Sequence, residues 1–183
     1  MSTWIQTCSG EQFYPFEPYR NEFRIEDIAH ALGNICRFGG HTRAFYSVAQ
    51  HSVLVSENVL PEYARWGLLH DAAEAFFGDM PTPIKAVLPD YYAAERQTLM
   101  LIADHFGVCP DAETALAVKM VDRLVFRDEV FALMTPVHPE LTRQMRDMGV
   151  GGCGLGLRIE PLPPEQAAAL FMDRYRQLWP EAG

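Results

Sequence analysis

Residues 68–77 read LLHDAAEAFF, and this stretch decides the fold. Leu68, Leu69, Ala72, Ala73, Ala75, Phe76 and Phe77 surround His70, Asp71 and Glu74. A segment apolar nearly all round predicts a helix buried on most of its faces. Burying a histidine, an aspartate and a glutamate together there is costly unless each is paired or bound to a cation. Upstream, His51 sits in SVAQHSVLVS among Val48, Val53, Leu54 and Val55. Downstream, Asp122 sits in VKMVDRLVF beside Val118, Val121 and Val125. Each is again a polar group among apolar neighbours. Taken together, His51, His70, Asp71 and Asp122 form a mixed nitrogen and oxygen donor set spread over three successive helical segments. Such a set suits one borderline divalent ion, Mn²⁺, Co²⁺, Fe²⁺, Ni²⁺ or Zn²⁺, with positions left for water.

The rest of the chain predicts helices around these segments. Ile25, Ile28, Leu32 and Ile35 recur at three and four residues and predict a helix over 25–36. Further helices are expected at 45–59, ended before Pro61, and at 62–77, ended by Gly78 and the prolines 81 and 83. Others follow at 90–106, at 111–134 and, with Pro164 at its start, at 164–179. Residues 3–17 predict a small β-hairpin turning at Ser9-Gly10. Residues 149–163 are rich in glycine and proline and predict a loop. They do not make a phosphate cradle, which needs a strand before it and a helix directly after. The expected fold class is all-α: one domain of about six helices with an N-terminal hairpin and a helical core over 25–134.

The composition agrees with a globular chain. Its 183 residues are 49% hydrophobic and 11% aromatic. The formal charge is 15 − 24 = −9. That acidity argues against a nucleic-acid polymer as partner, since clustered Lys and Arg supply most of that affinity. It leaves room for an anionic small substrate at a locally positive pocket. Cys8, Cys36, Cys109 and Cys153 form no C-x-x-C pair and are expected as free thiols in a reducing compartment. No leader segment or apolar run long enough to span a bilayer is evident, so the expected location is cytoplasmic, or host cytoplasm if phage-encoded, with no membrane partner.

The order His51, His70-Asp71, Asp122 resembles the HD-domain phosphohydrolase superfamily. His70-Asp71-Ala72-Ala73-Glu74 followed by Gly78-Asp79-Met80-Pro81-Thr82-Pro83-Ile84-Lys85 resembles the HDxxE…GDxPTPxK segment of bacterial 5′-deoxynucleotidases. Gln50-His51-Ser52 resembles their EHS, with Gln for Glu, and Arg37-Phe38 resembles their Arg-aromatic pair. The hairpin with IEDIAHALGNICRFGGH and YSVAQHS is similar to short phage and bacterial dATP triphosphohydrolases. The likeness covers roughly residues 3–130. It implies an HD-type helical bundle, one metal, and hydrolysis of a deoxynucleotide phosphate. The extra histidines of two-metal relatives are missing, and His30, His41, His105 and His138 do not supply a second set.

Roles follow from the resemblance. Glu74 would orient or deprotonate the attacking water, with Asp79 as a second acid or base near the leaving oxygen. Arg37, Lys85 and Lys119 would bind phosphate; Arg43 and Arg123 are weaker candidates. His41, near Arg37, is open to a phosphate contact or a surface role. Phe38 is open to stacking on a base or packing in the core. The substrate is expected to be a deoxynucleoside triphosphate such as dATP, releasing triphosphate, or alternatively a deoxynucleoside monophosphate, releasing phosphate. A non-catalytic nucleotide-binding regulatory module is the alternative of another kind. Relatives of this kind are commonly oligomeric, so a homo-oligomer, dimer or larger, is expected.

Overall fold

Ile28, Ala29 and Leu32 lie fully buried along one side of the helix α1 (Ile25–Asn34), as their spacing predicts. The computed structural model describes residues 3–182. Ahead of α1, strands β1 (Ile5–Gln6) and β2 (Gln12–Phe13) pair antiparallel, with Ile5 opposite Phe13. The hairpin is shorter than expected, because ladder pairing stops where the chain turns at Gly10, whose φ is 93°. Phe13 is its anchor, stacked on Phe76 at 4.2 Å.

Helix α2 (Val48–Asn58) runs through the middle of the molecule. Val48, Ala49, Val53 and Val55 are buried on several of its sides, and so are Gln50, His51 and Ser52. Ser47 caps it, its hydroxyl accepting from the Gln50 amide. Next come α3 (Ala64–Leu69) and α4 (Glu74–Phe77), followed by the short α5 (Thr82–Lys85), α6 (Pro89–His105) and the long α7 (Ala112–Leu133). Asp111 caps α7 by accepting from the Thr114 amide at 2.7 Å. Helix α8 (Pro139–Asp147) follows, and α9 (Pro164–Leu178) lies along α1 and α2. Its Ala167, Phe171 and Tyr175 join the main core. A second, smaller core packs Val130, Met145 and Val150 with Phe38 and Phe126.

The all-α class with a small hairpin is the observed architecture. The helices differ from expectation in two ways. The helix expected over 62–77 is interrupted at residues 70–73. There the amides of Ala72, Glu74, Ala75 and Phe76 bond three residues back instead of four. Such tightening is common where side chains are held for a function. The chain also forms α8 and α5, which were not expected. The segment 149–163 is a loop, as read. Among the described residues no helix is long and apolar enough to cross a membrane.

Candidate metal centre

His51, on α2, is wholly buried, and its Nδ1 lies 2.7 Å from Oε1 of Glu129. His70, in the tightened turn after α3, places its Nδ1 2.8 Å from the Gly67 carbonyl oxygen. A carbonyl only accepts, so His70 Nδ1 donates. In the neutral rings both Nε2 atoms then carry the lone pair. Both Nε2 atoms are buried and, among the described residues, have no hydrogen-bond partner. They converge on Asp71, whose Oδ2 lies 3.2 Å from His70 Nε2 and 3.7 Å from His51 Nε2. Asp122, on α7, brings Oδ1 to 3.2 Å from His51 Nε2. Ligand atoms around one tetrahedral ion with bonds of about 2.05 Å stand about 3.3 Å apart. The three separations above are near that value; His51, His70 and Asp71 bring donor atoms all within 4.8 Å of one another, while Asp122 lies outside that group and approaches His51 Nε2.

Charge points the same way. Asp71, Asp122 and Glu129 carry three negative charges, and Arg37 beside them carries one positive charge. With neutral imidazoles these groups leave a net negative charge, which a bound cation would offset. Burial disfavours ionisation of Asp71, but His70, His51 and Arg37 outweigh it and hold its carboxyl well below the usual range. Asp122 is lowered as well: burial opposes, while His51 and His70 prevail. In the metal-free cluster, burial and Arg37 oppose a proton on His51, yet Glu129 and Asp122 push the ring up to about 9. His70 is raised against its burial by Asp71 and Asp122. The cluster therefore recruits positive charge, as protons or as a metal. His51, His70 and Asp71 could hold a divalent ion, and Asp122 stands beside them at His51 Nε2.

Glu74 opens α4 beside the cluster. It is buried, and among the described residues its Oε2 has no hydrogen-bond partner. Burial, followed by the charges of Asp71 and Asp79, raises its carboxyl well above the ordinary value. Lys85 stands 4.0 Å from its Oε1 and pairs with Glu95 at 2.8 Å. Asp79 is half-buried and close enough to bias both Glu74 and Arg37 electrostatically.

The remaining expected residues divide. Arg37 is buried, bound to Glu129 through Nε and Nη2, with Nη1 3.9 Å from Asp71 Oδ2. Phe38 packs in the smaller core, 5.7 Å from the Phe126 ring. His41 and Lys119 are exposed, and among the described residues neither side chain bonds to the cluster. Arg43 and Arg123 are tied to backbone carbonyls, of Ala132 and Met148 respectively.

Sequence reading missed Glu129 and Tyr46. The Tyr46 hydroxyl donates to Glu129 Oε1 at 2.8 Å, and burial with Glu129 raises that phenol far above its usual pKa. Glu129 had a signal: it lies seven residues after Asp122, two turns along one face of α7. Tyr46 had none. It is positioned by the backbone, where the Arg37 amide bonds to the Tyr46 carbonyl at 2.9 Å.

No protein-family profile matches the chain. Two curated proteins are similar over nearly the whole length. One is the Escherichia coli K12 protein YfdR, named as uncharacterized, 35% identical over 187 residues that cover 96% of each chain. The other is an uncharacterized protein of Rhodobacter capsulatus, 36% identical over 190 residues, covering 96% of this chain and 95% of that one. At this identity and coverage, the chain belongs to the same family as YfdR and its Rhodobacter relative.

Proposed function

We propose that this protein is a metal-dependent phosphohydrolase of the HD type acting on 2′-deoxynucleotides. One observation carries the reading: two buried imidazole Nε2 atoms without hydrogen-bond partners converge with the carboxylates of Asp71 and Asp122. When bound, a divalent ion supplies Lewis-acid polarisation of a phosphoryl oxygen and lowers the pKa of water. The chain's own groups do the rest. Ionised Glu74 is a stronger base than an ordinary carboxylate, and its free Oε2 is suited to take a proton from the attacking water. The bond between phosphorus and the leaving oxygen then breaks, and that oxygen takes a proton, from Glu74 after it has received one or from Asp79, the residue the resemblance names for that role. Arg37 offers its Nη1 edge to a phosphate.

Of the two substrates, the charge inventory favours the deoxynucleoside monophosphate over dATP. Arg37 and Lys85 are already paired with Glu129 and Glu95, and five carboxylates (Asp71, Glu74, Asp79, Asp122 and Glu129) crowd the centre. A phosphate monoester brings about two negative charges, and a triphosphate brings more. The test is product analysis. Protein stripped with chelator and reloaded with Mn²⁺ or Co²⁺ is given deoxynucleoside mono- and triphosphates. Inorganic phosphate from dAMP is the expected product. Tripolyphosphate from dATP would make the triphosphate the substrate. Nucleotide binding with no product from either would turn the reading to a regulatory module.

A further inference from the structure

Glu129 lies fully buried between three groups that come from distant parts of the chain. Its Oε1 accepts from the Tyr46 hydroxyl at 2.8 Å and faces His51 Nδ1 at 2.7 Å. Its Oε2 accepts from Arg37 Nε at 3.2 Å and Nη2 at 3.0 Å. A carboxylate has about four acceptor sites, and here all of them are used. Two consequences are geometric. A carboxylate on Nδ1 makes that nitrogen the donor, so Nε2 is left as the ligand atom and the ring cannot rotate away. Arg37 is gripped along its Nε–Nη2 edge, which turns Nη1 toward Asp71 Oδ2, 3.9 Å away. One side chain thus orients a metal ligand and an anion-binding cation toward the same point.

We propose that Glu129 is a positioning residue that couples metal binding at His51 to phosphate binding at Arg37. The inference rests on the metal reading above. Tyr46 is the third support: its hydroxyl holds Oε1 in line with the His51 ring. Lost charge alone would weaken binding of a cation wherever it sat. Lost positioning would also change the ligand field around the ion.

The experiment titrates metal-stripped full-length protein with Co²⁺, against a competing chelator, and records the visible spectrum of the bound ion. Inorganic phosphate is then titrated into the Co²⁺-loaded protein. Glu129→Gln is expected to bind Co²⁺ about 10- to 100-fold more weakly, the range for lost partners of metal-bound histidines. Its Co²⁺ bands are expected to shift, and its phosphate affinity to fall as well. A folded Glu129→Gln protein with wild-type Co²⁺ affinity and spectrum overturns the inference. If that variant does not fold, Tyr46→Phe decides: it keeps the charge, and a several-fold loss of Co²⁺ affinity with shifted bands is expected. Wild-type affinity and bands in Tyr46→Phe would then overturn it. A wild-type protein that takes up no Co²⁺ overturns the metal reading and this inference with it. A wild type that binds beside a variant that binds equally well overturns this inference alone.

Discussion

Glu74 is a buried carboxyl that the fold keeps although its own ionisation is opposed. Burial and two neighbouring carboxylates raise it. Glu74→Gln is expected to lower kcat by about 10²- to 10⁴-fold, the usual worth of a general base. Co²⁺ affinity should be little changed, because the carboxyl is not among the ligands. Metal-free Glu74→Gln should melt no lower than wild type at pH 7, because a raised carboxyl weakens the fold as pH climbs above its ordinary 4.5. The neighbours set a wider pH pattern. Glu129 is lowered to about 2 against its burial by Arg37, His51 and Tyr46. Its stabilisation is present above pH 4.5 and is lost as pH falls through about 2. His51 is raised to about 9, so its contribution is present in full below 6.5 and is lost as pH rises through about 9. Thermal melts of metal-free protein should therefore peak in mild acid, between about pH 4.5 and 6.5. Metal loading should move that peak upward, because metal and protons compete for the imidazoles. A metal-free protein most stable at pH 9 would contradict this assignment. At this scale the sequence displayed the proposed ligands and Glu74, which stand out as polar letters in apolar runs. It concealed Glu129, whose partners Arg37, Tyr46 and His51 lie 92, 83 and 78 residues away.

Among the elements, α2 and α3 pack closely enough to fix where His70 points. A Cβ on Gly67 would come within 3.0 Å of Ser56 Cα and 3.2 Å of Val59 Cγ2. The Gly67 carbonyl also accepts from His70 Nδ1. Gly67→Ala is expected to cost about 1–3 kcal/mol, the usual range for overpacking. It should weaken Co²⁺ binding too, since α3 cannot shift without carrying the ring. Melting curves and Co²⁺ titration of the same preparation check both parts. Helix existence was legible from period in α1 and from the breaker Pro61 after α2. The tightened turn at 70–73 was not, because over four residues a repeat of about 3.0 cannot be told from one of about 3.6. Helix α8 carried a signal in Leu141, Met145 and Met148, spaced four and three apart. Its strongly polar remainder masked that signal.

For the whole molecule, the loop 149–163 ties α7 to α9 across the helices that carry the centre. Gln50, next to His51, donates to the Glu160 carbonyl and accepts from the Leu162 amide. Asp128, next to Glu129, accepts from the Leu157 amide at 2.9 Å. Gly154 passes so close to Asp128 that a Cβ there would overlap the carboxylate. Gln50→Ala removes two of these ties and should speed proteolytic cleavage within 149–163. The fragment carrying α9 should stay associated, because its apolar face is buried in the main core. Unchanged cleavage would mean that the loop is held elsewhere.

The lie of α9 on α1 and α2 also has a meaning in time. Gly33 of α1 sits where a Cβ would press on Ala168 and on the Pro164 carbonyl, so the first helix is shaped to receive the last. During synthesis, α1 and α2 emerge with that groove open. Gln50, beside His51, takes its partners Glu160 and Leu162 from 110 and 112 positions downstream. Contacts of such long sequence separation form late. In a nascent chain the groove for α9 and the ties on Gln50 therefore close only after translation has passed those downstream residues.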